Sequence, residues 1–340
     1  MEQRNIELGL NYENTKVTHK ILSSLQKQKL YIRNITYPHY NNHLYKYKKN
    51  HKNHGGSNIP KYIECPTEIK KMYLIELNIA NIYNAKPYVN MTELYICNNN
   101  ITELINLPNK LRILDCSSNK QLTSLQYLPK SLNTLISNYN NIEKYDKLPV
   151  NLQLFSCNYN TKLTQLSHLP NKLKYLYCGF CNITDIEGLP NTINILECNN
   201  NNISRFEYLP PNIFIFNCSS NNIEEFKSLP TSLLEFNCSF NKLHCLNNLP
   251  KYITSLICNN NPNLYKIDKY PINLNELNCS KTNIKTIDSL PLTIKDLNIS
   301  YTEISELVVT PNLVNLSLNK NQIIKLINYT TNTKIKEIYY

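Results

Sequence analysis

Glycine is scarce in these 340 residues, five in all, and none of the five forms the Gly-rich loop that would cradle a phosphate. No apolar run is long enough to span a membrane. Met1-Glu2-Gln3-Arg4-Asn5-Ile6 also lacks the apolar core of a signal peptide. These absences predict an intracellular protein, neither secreted nor membrane-bound. Histidine nearly disappears after residue 60, where only His168 and His244 remain. An enzyme needs a nucleophile–base pair or a metal in a cleft, and no such set is legible. The expectation is a non-enzymatic chain with no cofactor and no small-molecule substrate.

What the chain does have is a repeat. Leu111-x2-Leu114-x-Cys116-x2-Asn119 returns as Leu152-x2-Phe155-x-Cys157-x2-Asn160, then as Ile193-x2-Leu196-x-Cys198-x2-Asn201. Ile213-x2-Phe216-x-Cys218-x2-Asn221 and Leu233-x2-Phe236-x-Cys238-x2-Asn241 follow at a step of twenty residues. Taking the first apolar residue as position one, thirteen units begin at Ile69, Met91, Leu111, Leu132, Leu152, Leu173, Ile193, Ile213, Leu233, Ile253, Leu274, Ile294 and Leu313. A period this short marks a solenoid, in which each unit buries its apolar edge only against its neighbours. Insertions after Asn119 and Asn261 lengthen two of the steps and are expected to bulge at a turn without disturbing register.

Positions four and six alternate with polar ones, the period of a strand. Each unit therefore opens with a short strand, stacked in parallel on the next at about 4.8 Å. Position nine is asparagine in most units, where the chain turns out of the strand and leaves backbone groups for its amide. Cys181, Thr282 and Thr302 replace it in three units. Eight cysteines (Cys116, Cys157, Cys178, Cys198, Cys218, Cys238, Cys258, Cys279) share position six. There they are expected to be buried, reduced, small hydrophobes. A proline near the end of each unit, from Pro108 to Pro311, forbids a regular helix through that point.

These residues resemble those of leucine-rich repeat proteins. The Leu-Pro-x-x-Leu-x-x-Leu-x-Cys-x-x-Asn-x-Ile form is most similar to the short bacterial-effector subtype, over residues 65–326. It departs from that subtype in carrying cysteine where valine is usual, and one Leu-Pro where the consensus has two prolines. The resemblance implies a repeat solenoid, an α/β-type leucine-rich repeat horseshoe. Its parallel β-sheet would line the concave face, with mostly extended or 3₁₀ segments and little helix on the convex face. Some effectors of this subtype append a ubiquitin-ligase domain; with the repeats running almost to the last residue given, none is expected here. The asparagine-rich, cysteine-laddered style is also similar to the repeat proteins of giant DNA viruses, which implies host cytoplasm or a virion as its setting.

Four regions follow. Residues 1–56 are basic and expected to be partly disordered; 57–90 hold an N-terminal cap and a degenerate first repeat with Leu77 in the asparagine place; 91–326 are the array. Residues 327–340, with Ile335-x2-Ile338, look like a broken final strand that caps the other end. Cys178 and Cys181 form a CxxC that could be half a zinc site, but the repeat explains both. Residues 1–60 hold ten Lys/Arg against three Asp/Glu, with a short helix expected over Thr18–Lys27. His39, His43, His51 and His54 there mingle with Lys46, Lys48, Lys49 and Lys52 and with Tyr40, Tyr45 and Tyr47. Such a run could meet a phosphate backbone and stack on bases, although a solvated tail is the commoner origin.

Positions three, five, seven and eight point away from the core. In the middle units they include Ile113, Ile136, Tyr139, Leu154, Tyr159, Tyr175, Tyr177, Phe180, Ile195 and Ile215, and farther on Glu235, Glu276 and Asp296. Apolar patches that core packing does not require usually mark interaction sites, and tyrosine is enriched at them. The expected function is protein–protein interaction through the concave face, with the partner's identity left open. The alternatives are a nucleic-acid-associated protein using the basic tail and a structural component of a virus particle.

Overall fold

In the computed structural model, the described residues are 69–80, 82, 89–320, 322, 324–328 and 337–339. The basic region 1–56, with the expected Thr18–Lys27 helix and the His/Lys/Tyr segment, lies outside them. Fourteen short strands, from Lys71–Tyr73 to Glu337–Tyr339, form one parallel sheet in chain order. Thirteen belong to the thirteen units. The fourteenth, Glu337–Tyr339, pairs with Asn315–Ser317 and adds a closing strand at the C-terminal end.

Each strand spans positions three to five, and register is kept from unit to unit. Leu154 stands opposite Tyr175, Tyr175 opposite Ile195, and Ile195 opposite Ile215. A tight turn feeds the strand of each unit from Leu111 to Leu313. The position-one N–H of Leu111 donates to the Pro108 carbonyl at 3.1 Å, Leu132 to Pro129 at 3.1 Å and Leu152 to Pro149 at 3.0 Å. Proline loses nothing here, since the turn uses its carbonyl and not the N–H it lacks. On the return side the chain is extended, and no helix occurs among the described residues. Three short parallel pairs form there instead of 3₁₀ turns: Gln165–Leu166 with Asp185–Ile186, Cys245–Leu246 with Lys266–Ile267, and Glu306–Val308 with Lys325–Ile327.

The core runs the length of the sheet. In the units from Met91 to Ile294, positions one, four and six, as in Leu152, Phe155 and Cys157, are fully buried, and all eight position-six cysteines are free thiols. Burial drives these thiols up, Cys279 to about 12. Phe206, Phe216, Phe226 and Phe236 form a spine of rings, Phe216 edge-on to Phe206 and stacked on Phe236. Truncating one such side chain to alanine typically costs about 3–5 kcal/mol. Five units lack cysteine at position six: Leu74, Ile96, Ile299 and Leu318 keep the column apolar, and one rung makes it polar. Ser137 replaces cysteine, and its hydroxyl meets that of buried Tyr145 at 2.7 Å. Two buried polar groups thereby satisfy each other.

The asparagine column is a hydrogen-bonded ladder between rungs. Asn160 donates to the Ser137 carbonyl of the rung before (2.9 Å) and to its own Cys157 carbonyl (2.8 Å), while its Oδ1 accepts the Ile142 N–H (3.0 Å). Asn201, Asn221, Asn241 and Asn261 repeat this pattern. Each asparagine therefore caps a backbone N–H of the preceding rung. The replacements at 181 and 282 follow from this geometry. They come after rungs that carry an inserted residue, Asn160–Leu163 and Asn261–Leu264. There the N–H of Leu163 or Leu264 bonds within its own turn, to the carbonyl of Asn160 (2.9 Å) or Asn261 (3.0 Å). With that donor already satisfied, a thiol or hydroxyl suffices in the next rung; after the third insertion, Asn119–Leu122, the turn closes likewise (2.8 Å) but Asn140 remains, its Oδ1 accepting the Asn119 N–H at 2.6 Å. Thr302 follows a rung without an insertion, and this logic does not reach it.

A second polar ladder lies in the turns before the strands. Ser131, Thr192, Ser232 and Thr293 each donate to the position-one carbonyl of the preceding unit, at 2.6 to 2.8 Å. Asn151, Asn212 and Asn312 bridge to the same preceding turns. Many of the short strands are thus tied laterally by side chains at one or both ends, and the face between them is free to vary.

Candidate functional site

Position eight carries the most unusual backbone. It takes a left-handed φ in rung after rung: Asn98 (54°), Ser118 (58°), Tyr139 (56°), Tyr159 (60°), Phe180 (55°), Asn200 (55°) and Ser220 (54°). The turn requires this, because the position-eight N–H donates to a carbonyl of the next rung, as Tyr159 does to Gly179 at 3.0 Å. Asparagine tolerates the left-handed region; bulky residues pay roughly 1–2 kcal/mol to enter it. Three consecutive rungs nevertheless place aromatics there.

Those three rings form a stair. Tyr139 stacks on Tyr159 with centroids 4.2 Å apart and planes 9° apart, and Tyr159 on Phe180 at 4.3 Å and 7°. The end rings are the more open, Tyr139 43% and Phe180 39% exposed, while the middle ring is half-buried. Stacking returns about 0.5–1.5 kcal/mol per pair. The backbone beneath is pinned: Asn138 Oδ1 accepts the Asn158 N–H at 2.8 Å, and Asn158 Oδ1 accepts the Gly179 N–H at 2.6 Å. A Cβ at Gly179 would lie 2.8 Å from Asn199 Oδ1 and 3.1 Å from the Asn199 carbonyl oxygen, so any larger residue would have to displace Asn199.

Beside the stair run positions three and five, on the face away from the core. Ile113 and Tyr175 are half-buried, as expected of an accessible patch. Ile136, Leu154, Tyr177, Ile195 and Ile215 are not open as the alternation predicted. Ile136 and Ile195 are only 1% exposed, yet none of the five belongs to the core cluster. Register partners about 4.8 Å away crowd them from both sides. Of the apolar residues named from the sequence, the accessible ones are therefore Tyr139, Tyr159, Phe180, Ile113 and Tyr175; Tyr73, Phe240 and Tyr301, at the same outward positions of other rungs, are exposed too. Burial holds the Tyr175 and Tyr177 hydroxyls above the ordinary phenol range, and the Glu197 charge adds to the effect at Tyr177. Both remain protonated donors.

Toward the C-terminus the same face turns acidic and amide-rich. Glu235 and Asp296 are half-buried and Glu276 is exposed. Glu276 accepts the Ser255 hydroxyl at 2.8 Å, and Asp296 accepts from Asn315. Asn217, Asn237, Asn278 and Asn298 turn their oxygens inward, to the N–H and hydroxyl of the serine two residues on. Cys178 and Cys181 occupy their repeat places, Cys181 donating to the Cys157 carbonyl at 3.4 Å. Among the described residues, no group of three His, Cys, Asp or Glu side chains is placed to hold a metal ion.

The stair was missed in the sequence because left-handed backbone is invisible where Tyr and Phe stand. The small polar residues at 98, 118, 200 and 220 were the available signal.

No family model matches this sequence, and no curated protein matches it. Solved structures do. YopM from Yersinia enterocolitica WA-314 aligns at 28% identity and a TM-score of 0.72, over 77% of this chain and 57% of that one. This chain thus spans little more than half the length of that relative. YopM from Yersinia pestis, described as a leucine-rich effector protein, aligns at 20% identity and a TM-score of 0.62, over 80% of this chain and 89% of that one. The functional domain of InlJ from Listeria monocytogenes, described as including a cysteine ladder, aligns at 24% identity and a TM-score of 0.56, over 74% of this chain and 68% of that one. The likeness to viral repeat proteins rests on composition alone. In fold the chain is a leucine-rich repeat solenoid, similar to the bacterial effector type.

Proposed function

We propose that this protein is a non-enzymatic interaction module that holds a protein partner along the sheet face away from its core. A leucine-rich repeat fold suits protein interaction in general. The observation that carries the finer reading is the aromatic stair. Three bulky residues accept a strained backbone at a position where Asn or Ser serves the fold in neighbouring rungs. Strain of this kind gathers at functional sites, and clustered aromatics are typical binding hot spots. The partner would place an apolar ridge over the middle rungs and a basic segment over Glu235, Glu276 and Asp296.

The test is affinity capture of the native protein, followed by binding measurements on the captured partner. Changing Tyr159 to Asn and Tyr175 to Ser together should weaken binding by tenfold or more, on the order expected for two hot-spot residues. Unchanged affinity would dismiss this face.

A further inference from the structure

We propose that the free end of the aromatic stair, the face of Phe180 turned toward Asn200, is a docking site for an arginine side chain of a protein partner. The proposal rests on the interaction reading above and narrows it to one anchor and one chemistry.

The stack stops at Phe180 because the next rung carries Asn200 at position eight, a residue too small to continue it. One face of the Phe180 ring lies against Tyr159; the other looks along the column over Asn200. The molecule itself shows what suits such a place. Farther along the same column, Lys281 and Tyr301 occupy position eight of adjacent rungs, both left-handed, and the Lys281 Nζ lies 5.7 Å from the Tyr301 ring centroid. A cation held one rung away from a position-eight ring is thus a contact this backbone supports. Beside Phe180 the neighbouring rung supplies no cation, and a partner can.

The charge is also right. Glu197 stands at position five of the rung that carries Asn200, and its carboxylate already bears on the Tyr177 hydroxyl. The other end of the stair differs. The rung of Ser118 also has an acid at position five, Asp115, but it is buried, whereas Glu197 is half-buried. Only the Phe180 end pairs an open ring with an unburied carboxylate. A guanidinium fits better than an ammonium because it is planar. It extends a stack of parallel rings while its fork reaches toward the Glu197 carboxylate and the Asn200 amide oxygen.

The test uses the full chain with ¹³C-labelled phenylalanine, the Phe180 signal being assigned by its loss in Phe180→Asn. Asparagine already occupies the same left-handed place at 98, 200 and 260, so that variant keeps the fold. The probes are acetyl-Gly-Arg-Gly-amide, its lysine and norleucine counterparts, and adenosine monophosphate. The arginine peptide should shift Phe180 with a half-saturation about two- to fivefold lower than the norleucine peptide. Glu197→Gln should raise that half-saturation by a similar factor, and Tyr139→Asn should leave it in place. Equal shifts from norleucine, a stronger response to the nucleotide, or indifference to Glu197→Gln would each overturn the site. If the peptide fails while partner binding still depends on Tyr159 and Tyr175, the arginine site falls and the interaction surface stands.

Discussion

The rungs that begin at Leu132, Leu152 and Leu173 and those that begin at Leu233, Leu274 and Ile294 share one interior and differ on one face. Both sets bury an apolar residue at positions one and four, and most bury a thiol at six. On the face away from the core, the first set offers the clustered Tyr139, Tyr159, Tyr175 and Phe180, and the second Glu235, Glu276 and Asp296 with the rings of Phe240 and Tyr301 set apart. The interior columns and the two polar ladders specify the fold. The remaining positions were therefore free to diverge, and where divergence brings strain, as at position eight, packing does not account for it.

The shared interior can be broken by alkali. Every column thiol is buried, with its pKa raised; Cys181 is held at about 11 and Cys279 at about 12. A folded-state pKa above the unfolded one gives stability that is whole below about 9 and is lost as pH climbs toward the folded value. By pH 10 each thiol favours the unfolded chain by more than about 1 kcal/mol. Eight of them rival the stability of an ordinary domain. Circular dichroism should show the melting temperature collapsing between pH 8.5 and 10.5; an unchanged melt across that range would mean the thiols are not shut in.

The ladder gives the next largest effect. Asn160→Ala strands the Ile142 N–H and takes one of two donors from the Ser137 and Cys157 carbonyls, which keep Asn140 Nδ2 and Cys181 Sγ, and should cost about 2 kcal/mol or more in denaturant unfolding. Cys181→Ala, at the equivalent place after an insertion, should cost under about 1.5 kcal/mol. Equal costs would undo the account of why that rung dispenses with asparagine. Tyr145→Phe leaves the Ser137 hydroxyl only its 3.3 Å contact with the Ser156 carbonyl and should cost about 1 kcal/mol. The smallest effect concerns position eight. Phe240, left-handed and without a stacked neighbour in its column, should gain about 0.5–1 kcal/mol on replacement by Asn. Tyr159→Asn should be near neutral, since it relieves the same strain but loses two stacked contacts.

Much of the fold was legible because it is written in columns. Positions one, four, six and nine recur often enough to place strands, thiols and asparagines before any coordinates. The expected direction of the face residues followed from the same alternation. What stayed hidden depends on contacts between rungs. The insertion after Asn160 went unread, and with it the reason Cys181 can stand where asparagine usually does. The Ser137–Tyr145 pair joins two departures from the consensus that look unrelated along the chain. The closure of Ile136 and Ile195 reflects lateral crowding, which a single strand's alternation cannot express. The inward turn of Asn217 and its equivalents is a local side-chain choice that the same letters in a loop would not make.

The amide ladder has a direction: each asparagine serves the rung before it. Cutting the array between two ordinary rungs therefore leaves an orphan donor on the N-terminal piece. The rung of Leu111 closes its turn on an inserted residue but still gives its Asn119 N–H to Asn140; the rungs of Leu152 and Ile253 close theirs and are followed by Cys181 and Thr282, so they are exceptions. These are seams, where repeats can be gained or lost, or the spring can begin to fray, with the fewest broken bonds.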